Sequence, residues 1–179
     1  LFLQEFFNPD EQDYLIFHYD EKWEIDNYIK IYNKASNLTN IKINFDDFLK
    51  FLKNLIQKTS KTIIITTGML KTDLIDNLII KSKKIHKGLF QFDLKEGKIY
   101  LVDRESFFVI SHLISCASSF ISCHGAFTHI ASNYRVKIID IVEEGREYHY
   151  KRITDHMKNY KRLTRNNFSN LSKEILNYS

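Results

Sequence analysis

Apolar residues along this chain fall into two alternating patterns, short unbroken runs and longer stretches spaced three to four apart. The runs Tyr14-Leu15-Ile16-Phe17, Thr62 to Thr67, Phe120-Ile121 and Val136 to Val142 read as strands buried on both faces, the β-branched 62–67 run most plainly. Between them lie helical spacings. Phe48, Leu49, Phe51, Leu52, Leu55 and Ile56 make an amphipathic stripe behind Asn44 as cap and Asp46-Asp47 as acidic first turn. Residues 25–35, 70–84, 105–114 and about 167–178 repeat the helical pattern, with Asp103 expected near the cap of the third and Gly88 closing the second. Leu89–Phe92 and Ile99–Val102 flank Lys95-Glu96-Gly97 as a hairpin or a strand with an excursion. Residues 147–166 are basic and tyrosine-rich without a clear period.

Strand and helix in alternation predict an α/β fold, a Rossmann-like doubly wound, mainly parallel sheet with helices on both faces. Residues 1–12, with the Asn8-Pro9-Asp10 turn signal, read as a lead-in or linker from a further N-terminal domain. Residues 13–179 read as the domain itself. The first residue is Leu1 and not methionine, which fits a processed, trimmed or longer parent chain.

A parallel sheet delivers its strand ends to one edge, and ligands of such sheets bind there. Four loops qualify: 18–23, Gly68, 123–129 and 143–146. The stretch Cys123-His124-Gly125-Ala126-Phe127-Thr128-His129 is the richest, a strand end, a glycine turn and a helix start. Such a turn lets backbone approach a ligand and suits an anion, usually a phosphate. In this reading His124, Gly125, the Thr128 hydroxyl and His129 face a diphosphate. The plainer alternative is a turn in which glycine serves geometry and His129 is a core residue. Lys22 could neutralise phosphate charge, while Trp23 is better read as packed than as stacked on a base. Glu143 or Glu144 could accept hydrogen bonds from ribose hydroxyls.

Composition narrows the partners. A net charge of +4, from 26 Lys+Arg against 22 Asp+Glu, is mild and spread along the chain, so dedicated nucleic-acid binding is not expected. Two cysteines, Cys116 and Cys123, make no disulfide framework and read as buried thiols. Zinc at Cys123, His124 and His129 is disfavoured because neighbours on a strand end point apart. No apolar run approaches the roughly 18 residues of a membrane span and no signal peptide is seen, so the default location is the cytoplasm. The basic stretch Lys151 to Arg165 leaves peripheral membrane contact open, with a solvated face the plainer reading. The serines at 106, 111 and 115 lack the strained turn of a serine hydrolase.

The order of elements resembles the C-terminal, donor-binding half of a GT-B glycosyltransferase, most closely the heptosyltransferase-like family. The residues that carry the resemblance are Lys22-Trp23 after the first strand, the 62–68 strand ending in Gly68, the helix from Ser106, and the loop Cys123 through Ala131. It spans about residues 13–142. It implies one GT-B half that binds a nucleotide-diphosphate sugar without metal or other cofactor, at Lys22, Gly68, His124, Gly125, Thr128 and His129, with Glu143 and Glu144 toward ribose and base. It further implies transfer to a glycan or lipid-linked acceptor, of lipopolysaccharide type, with the catalytic base in the N-terminal half. Cys123 and His124 stand where the family has Asp and Ser or Thr, and three residues in place of two separate Gly125 from His129. The alternative is a non-catalytic Rossmann-like module for a ligand or partner.

Overall fold

The computed structural model describes residues 14–24, 41, 43–70 and 72–179. The expected lead-in at 1–12 and the expected helix at 25–35 lie outside these residues. The described chain forms one eight-stranded sheet in the order β3-β4-β5-β2-β1-β6-β7-β8. The strands are β1 (Tyr14–Tyr19), β2 (Thr62–Thr67), β3 (Lys83–His86), β4 (Leu89–Leu94), β5 (Gly97–Val102), β6 (Ser119–Cys123), β7 (Lys137–Val142) and β8 (Tyr160–Thr164). Six are parallel to their neighbours in the run β5-β2-β1-β6-β7-β8, and β3 and β4 add antiparallel at the β5 side. Numbered by themselves in chain order, the six parallel strands run 3-2-1-4-5-6, the Rossmann order. The α/β, doubly wound class is therefore observed.

The helices are α1 (Phe45–Thr59), α2 (Asp73–Ile80), α3 (Phe107–Cys116), α4 (Ala126–Ala131), α5 (Glu147–Thr154) and α6 (Phe168–Tyr178). Alternation along each central strand assigns the helices to faces. Leu15, Phe17 and Tyr19 of β1 join α1, α2 and α6 in one apolar cluster. Tyr14 and Ile16 point the other way, into a cluster with Ile110, Leu113 and Ile114 of α3 and Ala131 of α4. Asn44 caps α1 by accepting from the Asp47 amide at 2.9 Å, and Asn167 caps α6 through the Asn170 amide at 3.1 Å.

Three local expectations change. The helix expected over 70–84 ends at Ile80, because Lys83–His86 pairs with β4 as an edge strand. Ser106, not Asp103, caps α3, since Asp103 is turned back to accept from the Thr67 hydroxyl at 3.0 Å. The stretch without a clear period, 147–166, holds α5 and the edge strand β8. An edge strand is covered on fewer sides, so its sequence need not be uniformly apolar.

Candidate functional site

In a 3-2-1-4-5-6 sheet the chain reverses direction of winding between β1 and β6, and the loops leaving those strands diverge to opposite faces. The gap between them is a crevice of about 270 Å³, lined by His18, Asp20, Glu21, Lys22, Gly68, Met69, Leu70, Ser122, Cys123, Gly125, Ala126, Phe127 and Thr128. That is just below the roughly 300–1,000 Å³ usual for small-molecule sites. It has room for a diphosphate or a single sugar ring.

The β1 side is a short 3₁₀ turn, Glu21–Trp23, capped by Asp20, whose carboxylate accepts from the Lys22 amide at 3.1 Å. The same carboxylate meets the Lys22 ammonium at 2.9 Å. Lys22 then crosses the crevice and donates to the His124 carbonyl at 3.0 Å, tying the two loops together. Its side chain still has 27% of its surface exposed and lines the crevice. Burial works against its charge, but the Asp20 carboxylate, with smaller help from Cys123 and Glu21, outweighs it and raises the Lys22 pKa. Trp23 is fully buried, stacked on Tyr19 with ring centroids 5.7 Å apart, and donates to the His18 carbonyl. It packs the turn down and does not face the crevice.

Two glycines make the approach possible. A side chain on Gly68 would stand 2.8 Å from Asp20 Cβ and 3.3 Å from its Cα, so the loop after β2 can lie against the β1 turn only without one. A Cβ on Gly125 would stand 2.5 Å from Lys22 Nζ, the far end of a flexible chain. Gly125 is in extended backbone that any residue adopts, so what it preserves is the place of the ammonium.

On the other side of the same loop lies a closed polar cluster. Asp140, fully buried in β7, accepts from His124 Nδ1 at 2.7 Å, from the Tyr160 hydroxyl at 2.7 Å and from the Thr128 hydroxyl at 3.2 Å. Thr128 also takes the Gly125 amide at 3.3 Å and meets Ser122 at 3.2 Å. A buried carboxylate is stable where several donors share it. The His124 ring lies edge-on to Tyr150 and His129, at centroid distances of 4.8 and 5.2 Å. Burial first, then the His124 ring, lowers the His129 pKa.

The residues singled out from sequence therefore divide. Lys22, Gly68, Gly125 and Thr128 line the crevice together, Thr128 with its hydroxyl engaged inward. The His124 carbonyl accepts from Lys22, and its ring goes to Asp140, with His129 against that ring. Glu143 is buried and pairs with Arg165 at 3.2 Å, while Glu144 is exposed, and neither lines the crevice. Arg165, itself 2% exposed, also donates to the Lys22 carbonyl and to Cys123 Sγ, bolting the β1 turn to the ends of β6 and β7. Burial pushes the Cys123 thiol up to about 12, the state of an inert packed cysteine. Among the described residues no three His, Cys, Asp or Glu side chains are grouped as metal ligands.

Sequence reasoning gave Asp140 no role, read Tyr160 and Arg165 only as part of the basic stretch, and placed His18 in the 18–23 loop without a role of its own. Asp140 did leave a signal, a lone charge inside the run Ile138-Ile139-Asp140-Ile141, which burial permits only with partners. His18 is buried and held by the Thr66 hydroxyl at 2.9 Å, and burial lowers its pKa to about 4, so it is neutral at pH 7.

No family model matches this chain, and no curated protein matches it. Among solved structures, one described as that of the wall teichoic acid polymerase TagF is similar over 98% of this chain, at 13% identity and a TM-score of 0.44. The chain spans 37% of that protein's chain. A likeness this loose decides neither activity nor ligand. The fold class stands on the strand order itself.

Proposed function

We propose that this chain is the donor-binding half of a glycosyltransferase-like enzyme, holding the diphosphate of a nucleotide sugar in the crevice between β1 and β6. The observation that carries this reading is the meeting of Lys22 and Gly125 at the switch point of a Rossmann-ordered sheet. There a part-exposed lysine sets its ammonium over a glycine that keeps its place open. A diphosphate entering the crevice would exchange for the His124 carbonyl at Lys22 Nζ, gaining a charge-assisted hydrogen bond in a half-buried setting. In transfer, the same ammonium would stabilise the departing nucleotide diphosphate, with the acceptor and the catalytic base supplied by an N-terminal half. The sugar passes to a glycan or lipid-linked acceptor of lipopolysaccharide type.

A second reading, a non-catalytic Rossmann-like module for a regulatory ligand or partner, is favoured by the engagement Lys22 already has with Asp20 and by the inward turn of Thr128. Calorimetric titration with UDP, GDP and ADP tests the leading one. At least one of the three binds the wild type, and Gly125→Val weakens it by about tenfold or more through displacement of the ammonium.

A further inference from the structure

Large apolar side chains are seldom left in water without a reason, and here three are gathered at one edge. Phe108 is 82% exposed, Met69 79% and Phe107 51%. They belong to separate loops that the strand ends bring together. Met69 follows β2, and Phe107 and Phe108 open α3 after β5. The two loops are stitched by the Arg104 amide, which donates to the Thr67 hydroxyl at 2.8 Å. Phe127, from the β6–α4 turn, stacks on Phe107 with centroids 5.4 Å apart and planes at 25°, and Phe108 stands edge-on to Phe107. Phe127 and Met69 also line the crevice, so the apolar tips stand at its mouth.

Cations flank the tips on one side. The Asp103 amide donates to the Gly88 carbonyl at 2.8 Å, which seats the β3–β4 turn beside the lead-in to α3. Lys84, Lys87 and Arg104 line the hollow formed there, about 630 Å³, together with Asp103 and Glu105. Asp103 is already paired with Arg104 at 3.0 Å, and exposed Lys83 and His86 lie on the same edge strand. The balance of fixed charge is positive.

Exposed aromatic tips beside Lys and Arg are the composition of a surface that enters the headgroup layer of an anionic bilayer. A second copy of the chain is the poorer occupant. A two-fold contact places the same patch on both sides and would bring like charges together. We propose that this edge docks on an anionic membrane surface, with Phe107, Phe108 and Met69 entering the headgroup layer and Lys84, Lys87 and Arg104 meeting lipid phosphates. This does not rest on what the crevice binds.

Co-sedimentation with vesicles of phosphatidylcholine, with and without about 30% phosphatidylglycerol, tests it. The chain is expected to partition onto the anionic vesicles and to be released by about 0.5 M salt. The double substitution Phe107→Ser/Phe108→Ser lowers the partition coefficient by about tenfold or more, and Lys84→Glu/Lys87→Glu by a comparable factor. Phe108→Trp gives indole emission that shifts to the blue on anionic vesicles, against the constant signal of buried Trp23. All these side chains except Phe107 are largely exposed, and an unchanged Tm shows that the variants fold. No binding to the anionic vesicles, equal binding to both kinds, or variants that bind as the wild type does would overturn the proposal. So would a dimer in solution that Phe108→Ser dissolves, which would make this a surface between copies.

Discussion

Two carboxylates lie on either side of the His124–Thr128 turn, and their surroundings differ. Asp140 is fully buried and shared by three side-chain donors, His124, Thr128 and Tyr160, so each of its partners is part of one cluster. Asp20 is nearly as buried, and it holds the Lys22 amide and ammonium, with His18 Nε2 at 3.7 Å, but the Lys22 side chain is part-exposed and lines a cavity. Burial alone therefore does not separate scaffold from site. What separates them is whether a partner can leave without stranding a charge. Lys22 can trade the His124 carbonyl for a ligand oxygen and keep Asp20, whereas a partner leaving Asp140 strands part of a buried charge.

The contrast breaks most sharply at Asp140. Asp140→Ala leaves the Thr128 and Tyr160 hydroxyls and His124 Nδ1 short of an acceptor, and should cost about 3 kcal/mol or more in urea unfolding. A loss under about 1 kcal/mol would mean that the cluster is not scaffold. His18 gives an effect of similar size that depends on pH. Its folded pKa lies near 4, below the ordinary 6.5, so the unfolded chain takes up a proton first as pH falls. Stability contributed by neutral His18 is present above about pH 6.5 and is lost progressively toward pH 4, by at most about 3 kcal/mol. His18→Gln should flatten that slope in a pH series of unfolding curves.

Glycine substitutions sharpen the comparison at smaller scale. Gly68→Ala drives a methyl against Asp20 Cβ, which is fixed to the backbone of the β1 turn, and should cost about 1–3 kcal/mol by thermal or urea unfolding. Gly125→Ala meets only the flexible end of Lys22, and its cost should stay within about 0.5 kcal/mol. If the two cost the same, the distinction between a Cβ fixed to its backbone and a movable ammonium fails.

Much of the fold was legible because buried parallel strands and amphipathic helices write their periods plainly. The 62–67 run and the 45–59 helix are the clearest cases. What could not be read was pairing across the sheet. Lys83–His86 looks like the tail of a helix until β4 lies beside it, and the Tyr160–Thr164 strand is too polar to announce itself. At the site, the glycines and Lys22 were visible as strand-end residues. The inward turn of His124 and Thr128 was not, because it depends on Asp140, twelve to sixteen residues further along and reached only when β7 pairs with β6. Arg165, pinned to the β1 turn from the far end of the chain, left no local signal at all.

The claim that Lys22 and Gly125 form an anion site is met most directly by titrating the wild type and Gly125→Val with UDP, GDP and ADP in a calorimeter, with the Tm of both proteins recorded. The expected result is binding of at least one nucleotide by the wild type, weakened about tenfold or more in the variant at a Tm changed by no more than a few degrees. Absence of heat from all three nucleotides at about millimolar concentration, or a variant that binds as the wild type does, would contradict it.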